Sequence, residues 1–217
     1  QPKGWSGEFY LRGQRLMLTE LLKPRIPEGY QLRNGQAEIE LWSGWEEGKM
    51  RWLEGKSHWS DLHLVQLTAA EDSPNRRLEI DHLGGYFRWR HQTDGWDLMV
   101  EDIRFERLGL SWPATSFGLI TRFASQGRLH LRSGADFLRV EDAGAIVRMF
   151  PLPYPQLEQA LASIRPHCDL HDPRFYYDEG PAGITWAARG EVRELFSKPW
   201  KRIPGVENLS AHFWADQ

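Results

Sequence analysis

The chain has 217 residues, with 27 basic and 30 acidic side chains and a formal net charge of −3, so no basic field advertises nucleic acid. Hydrophobic residues make up 41% and charged residues 26%, which excludes a disordered chain and is enough to bury a core. The single cysteine excludes an internal disulfide, and neither a signal peptide nor an apolar run near the ~20 residues of a membrane span is visible.

In chain order, Gly4 to Arg12 puts Trp5, Gly7, Phe9 and Leu11 on one face, as in a strand. Leu16 to Leu22 reads as a short helical or irregular stretch closed by Pro24 and Pro27. Gly35 to Ser43 alternates strictly: Ala37, Ile39 and Leu41 on one side, Gln36, Glu38 and Glu40 on the other. Trp45 to Gly48 turns the chain into a strand from Lys49 to His58, and Trp59 to Ala69 reads as the next. After the Asp72–Asn75 loop, Leu78 and Ile80 begin a strand. Gly84-Gly85 then leads into Tyr86 to His91, where Phe87 and Trp89 alternate with Arg88 and Arg90. Thr93-Asp94-Gly95 signals a hairpin. In the return strand Trp96, Leu98 and Val100 share a face, and Ile103 and Phe105 take over after Glu101-Asp102, which predicts a bulge. Phe117 to Ala124 and Gly127 to Arg132 form a further hairpin, and Ala143 to Phe150 a helix.

Pro155 suits a first helical position, and Leu157, Ala160, Leu161 and Ile164 make one helical face that Pro166 ends. A turn-rich segment, then strands over 174–177 and 183–188, complete a unit that repeats the plan of Leu18 to His63. Leu18 matches Leu157, Leu32 matches Leu170, and Trp52 matches Trp186. The fold class is therefore mainly β with short helical inserts: a large twisted antiparallel meander built from degenerate repeats. Residues 1–136 would hold a first meander with an insert near 16–23. Residues 137–217 would hold a helical insert (143–165) and the start of a second meander. Periodicity leaves a sandwich, a closed barrel and an open sheet as alternatives. The start on Gln1 reads as that of an internal piece, whose exposed strand edges would associate at high concentration.

No Gly-x-Ser-x-Gly, P-loop or His-Glu-x-x-His pattern occurs. His167, Cys168, His171 and Asp172 are competent zinc ligands, but a structural site needs four and no second cysteine exists, so a helix-to-strand turn is the plainer reading. No catalytic residue, metal or cofactor is expected. The eleven tryptophans fit sheet packing, and also keep a carbohydrate-binding or scaffold β-domain with a closed core as the alternative function.

Four stretches in order carry a family resemblance: Gly35 to Trp45 (GQAEIELWSGW), Gly95 to Pro113 (GWDLMVEDIRFERLGLSWP), Leu157 and Leu161 before Arg165-Pro166, and Lys198 to Ser210 (KPWKRIPGVENLS). Together they resemble the middle of the large AsmA-like envelope proteins of Gram-negative bacteria, in their YhdP branch. His167-Cys168 departs from that pattern where a glycine is usual. The resemblance implies a long β-groove in the periplasm, anchored in the inner membrane through parts outside this segment. Its role would lie in outer-membrane homeostasis, with phospholipid acyl chains sliding along the groove between membranes. Phospholipid and adjacent repeats of the parent chain would be the partners, with no nucleic acid. The residues expected to line the groove are Ile39, Leu41, Trp52, Leu64, Phe87, Trp89, Leu98, Val100, Leu119 and Leu129. Each lies in a strand-like segment opposite most of its charged neighbours.

Overall fold

A computed structural model describes residues 4–23, 26–67, 76–124, 127–149, 163–181, 183–202 and 204–217. Its strands are β1 (Gly7–Met17), β2 (Tyr30–Glu46), β3 (Lys49–Gln66), β4 (Arg76–Gln92), β5 (Gly95–Arg107), β6 (Leu110–Ser111), β7 (Thr115–Phe123), β8 (Leu129–Ala135), β9 (Phe137–Arg139), β10 (His167–Gly180), β11 (Gly183–Ser197) and β12 (Val206–Asp216). Two helices interrupt them, α1 (Leu18–Leu21) and α2 (Val140–Met149).

All strands join one antiparallel sheet in the order β1-β2-β3-β4-β5-β7-β8-β10-β11-β12, with β6 extending β5 and β9 flanking β10. The sheet is open and does not close into a barrel, and this removes the sandwich and barrel alternatives. Pairing runs unbroken past residue 136, because β8 pairs β10. β3 alone has 18 residues, a length of roughly 59 Å at strand rise.

The strands are fewer and longer than the sequence predicts. Lys49–His58 and Trp59–Ala69 are one strand up to Gln66, and the Gly84-Gly85 pair lies inside β4 rather than between two strands. Gly84 is held from two sides, by His58 and Arg104, and Gly85 pairs Ser57 at a register shift against β5. The predicted turn-rich segment after Pro166 is the beginning of β10. The ring of Pro173 is accommodated there at a register shift, beside Asp172 with φ 48°. The bulge expected near Glu101-Asp102 is present: Asp102 has φ 50°, and the register shifts between Val100 and Ile103. Of the helix predicted from Pro155, residues 155–162 lie outside the described residues.

The core sits at one end of the sheet. Leu78, Ile80, Phe105, Ala145 and Met149 are buried together, so α2 stands on the ends of β4 and β5. Polar contacts fix the helix. Asp142 accepts from Trp112 Nε1 at 2.7 Å and from Arg107 Nη1 at 2.9 Å. At its other end, the Met149 and Arg148 carbonyls accept from Tyr30 Oη and Arg76 Nη1. Leu18 of α1 is buried against Gly35 and Leu62. Gly35 has φ 152° at a register shift, and a Cβ there would press into Leu18, so the glycine lets α1 close on the sheet.

Candidate functional site

Directly paired residues of antiparallel strands point to the same side, so the register sorts every strand residue onto one of two faces. One rung crosses all ten strands of the main path: Phe9, Ser43, Leu53, Trp89, Leu98, Leu119, Ser133, Phe175, Ala188 and Ala215. The rung beside it on the same face is Leu11, Leu41, Gly55, Phe87, Val100, Phe117 and Ala135. A third adds Trp96, Thr121, Leu131, Tyr177 and Trp186. Trp96 pairs His91 of β4, and no Asp, Glu, Lys or Arg stands on these rungs. At roughly 4.8 Å per strand the first spans about 43 Å across the sheet.

The opposite face is charged. Its matching rungs read Glu54, Arg88, Met99, Gly118, Gly134, Arg174 and Arg189, then Trp52, Arg90, Asp97, Ile120, Arg132 and Tyr176. Ion pairs hold parts of it together. Arg122 Nη1 reaches Asp97 at 2.6 Å and pulls that carboxyl below its usual pKa range.

Eight of the ten residues predicted to line a groove share the open apolar face: Ile39, Leu41, Phe87, Trp89, Leu98, Val100, Leu119 and Leu129. Two need correction. Leu64 pairs Leu32 and Leu78 and packs into the cluster beneath α2, so it belongs to the core, not to an open surface. Trp52 pairs Gly44 and Arg90 on the charged face, with its indole over Gly44. The proposed match of Trp52 with Trp186 also fails in orientation. The Trp52 rung meets β11 at Ala187, so Trp186 points the other way. Leu11, Leu53, Phe117, Leu131 and Phe175 were missed. For Leu53 the signal was present: Gly55, Ser57 and Trp59 share its parity, whereas Trp52 shares parity with Glu54, Lys56 and His58.

Among the described residues the only helices are α1 and α2, and they pack at one end of the sheet. Phe9, Leu11 and Phe175 are 53%, 56% and 40% exposed, and the central Leu98, Val100, Phe117 and Leu119 are half-buried rather than buried. The accessible surface is 14893 Å², against roughly 10,300 Å² for a compact monomer of this mass. The excess is what a single-layer sheet with both faces accessible produces.

A family model described as YhdP protein matches residues 2–217. The chain belongs to the YhdP family. Neither curated proteins nor solved structures gave a match. Membership is consistent with a segment of a lipid-transport envelope protein, and the open sheet fits the β-groove that the YhdP resemblance led us to expect. Among the described residues no helix is long and apolar enough to cross a membrane.

The His167–Asp172 cluster is spread along β10. Cys168 is buried, and burial together with the carboxylate of Glu141 pushes its thiol up to about 11, which leaves it a poor nucleophile or ligand at neutral pH. His167 Nδ1 lies 3.5 Å from Glu141 Oε1 of α2. Among the described residues no group of three or more His, Cys, Asp and Glu side chains could hold an ion.

Proposed function

We propose that this YhdP segment is a non-enzymatic stretch of conduit along which phospholipid acyl chains move between the inner and outer membranes. The observation that carries the reading is the set of uncharged rungs crossing the open sheet and left uncovered beyond α2. An apolar face of this width greatly exceeds the few hundred Å² that soluble monomers expose, so it requires an occupant. Acyl chains suit it, because each methylene taken from water contributes roughly 0.8 kcal/mol without directional contacts. Binding of that kind favours residence on the sheet but not at any one rung, which is what sliding needs. Adjacent repeats of the parent chain would extend the face, and its bulk would lie in the periplasm. The net charge of −3 supports a reading without nucleic acid.

The test is a photoreactive amino acid at Leu98 or Ile39 in the whole protein, in cells. Crosslinks to phospholipid from these two sites, and none from a probe at Lys56 on the charged face, are the expected result. Crosslinks absent from both apolar sites would overturn the reading.

A further inference from the structure

The charged face holds a feature that acyl-chain transport does not use. A depression of about 510 Å³ lies over β5, β7 and β8. Its floor is made where Gly118 and Gly134 stand opposite each other on neighbouring strands. Gly134 has a reason within the fold: a Cβ there would meet Arg174 Cδ at 2.7 Å, so the glycine lets that arginine lie flat across the sheet. Gly118 has none, since its Cβ would meet only Met99 Sδ, at an ordinary 3.7 Å. Glycine within a strand weakens the sheet, and often marks a place where a ligand approaches the backbone.

Arg88, Arg90, Arg132 and Arg174 surround this floor. Two carboxylates share the lining, and both are engaged. Asp97 is met by Arg122 and Gln92, and Asp136 accepts from the Ser116 N–H at 3.1 Å and lies 4.0 Å from Arg174. Arg174 also donates to the Ala135 carbonyl at 2.8 Å. Arg88 is 3.8 Å from Glu54, and its guanidinium lies 5.7 Å from the Tyr86 ring. Arg132 is held over the Tyr176 ring at 5.6 Å. Among the described residues neither Arg90 nor Arg132 has a carboxylate within 4 Å. Asp97, the cross-strand partner of Arg90, feels its charge but is bound by Arg122, so two exposed guanidinium groups border the floor without an ion pair of their own. They stand three strands apart, roughly 14 Å at the backbone, and long side chains from both sides can reach one group between them. Guanidinium forks match phosphate oxygens in pairs, and oriented forks lose little freedom on binding.

We propose that this depression binds the phosphate group of a phosphate ester, with Arg90 and Arg132 as its main ligands and the Gly118 backbone as its floor. Met99 and Ile120, 44% and 43% exposed, supply the apolar contact for the organic part of the ester. The site lies on the opposite side of the sheet from the conduit and does not depend on it. The ester could be a lipid headgroup or a soluble phosphorylated compound.

Calorimetric titration of the chain at low ionic strength distinguishes the two, with glycerol 3-phosphate as one arm and vesicles of phosphatidylglycerol in phosphatidylcholine as the other. Saturable binding of glycerol 3-phosphate supports the site and a soluble source. Saturable vesicle binding supports it and a headgroup source only where the double arginine variant weakens it, because the apolar face can itself hold vesicle lipid. The variant Arg90→Gln/Arg132→Gln should weaken that binding at least tenfold without lowering the melting temperature. Gly118→Val, which fills the floor and leaves every charge in place, should do the same. If Gly118→Val does not fold, Ile120→Trp fills the same space from an exposed position. Three results would each overturn the proposal: no saturable binding in either arm, binding that survives the double arginine variant, or binding lost with the arginines but kept when the floor is filled, which is diffuse surface charge. Crosslinking from Leu98 reads the other face, so the two proposals fail separately.

Discussion

Gly44 of β2 stands directly opposite Trp52 of β3, and the Trp52 indole lies across the glycine where a side chain would otherwise rise. An aromatic ring covering a glycine in the adjacent strand shields exposed backbone and pins the register. Gly44→Ala would put a methyl group into the ring. Overpacking of this kind costs about 1–3 kcal/mol. We expect the urea midpoint to fall in Gly44→Ala, and to recover partly in Gly44→Ala/Trp52→Ser, because the two residues share one contact and their effects cannot add. Additive losses would show that the ring does not depend on the glycine.

The two ends of the apolar face should respond differently to the same kind of change. Phe105 is 4% exposed beneath α2, so Phe105→Ala should cost about 3–5 kcal/mol. Leu98 is half-buried in the open part, and Leu98→Asp leaves its carboxylate in contact with water. Its thermal midpoint should shift much less than that of Phe105→Asp, which buries an unpaired charge. Equal losses would mean that Leu98 is core.

How far these features could be read in advance differs by residue. The alternation of Ile39 and Leu41, of Phe87 and Trp89, and of Leu98 and Val100 was enough to place them, because pleat geometry leaves a regular strand no choice of side. The hairpin at Thr93-Asp94 and the bulge at Asp102 were legible from turn chemistry and from the shift in hydrophobic phase. Strand length was not. The Gly84-Gly85 pair looks like a break, yet pairing of Gly84 on both flanks and of Gly85 with Ser57 carries the strand through it. Leu64 could not be told from an open-face residue, since what covers it is a helix some 75 residues later in the chain. Trp52 was misplaced because its size outweighed the polar character of its own parity set.

Asp142 ties α2 to the sheet through Arg107 and Trp112, and only 5% of its side chain is exposed. Asp142→Ala leaves Arg107 charged without its partner, at a cost of about 3 kcal/mol, the lower end for buried pairs because Arg107 keeps some contact with water. Cys168 reports whether the helix has lifted. Its backbone N–H donates to Glu141 of α2, and its thiol is buried. Maleimide labelling at pH 7.5 should be slow in the native chain and at least tenfold faster in Asp142→Ala. Equal rates would show that α2 does not shield Cys168.

The pairing of Asp97 with Arg122 fixes the sign of one pH effect. The Arg122 guanidinium holds the Asp97 carboxyl below its ordinary value, which is near 3.9 in an unfolded chain. The stabilisation is therefore fully present above about pH 4 and is lost as pH falls through the folded value. A third of the Asp97 side chain is in water, so the pair contributes at most about 1 kcal/mol. Asp97→Asn should lower stability by up to that amount at pH 7 and by progressively less below pH 4. A deficit that stays constant with pH would assign the effect to packing.

Along the main path of the sheet each strand pairs with its nearest neighbours, with β6 and β9 adding only short ladders to β5 and β10, and successive strands run in opposite directions. A lineage can therefore lengthen or shorten such a surface by inserting or deleting whole hairpins. Two strands enter or leave together, the chain resumes in its original direction, and every rung beyond the junction keeps its side. Loss of a single strand would reverse the direction of everything after it. The modular unit of this architecture is thus the strand pair, and the span that the protein bridges can be tuned in steps of roughly 10 Å without redesigning either face.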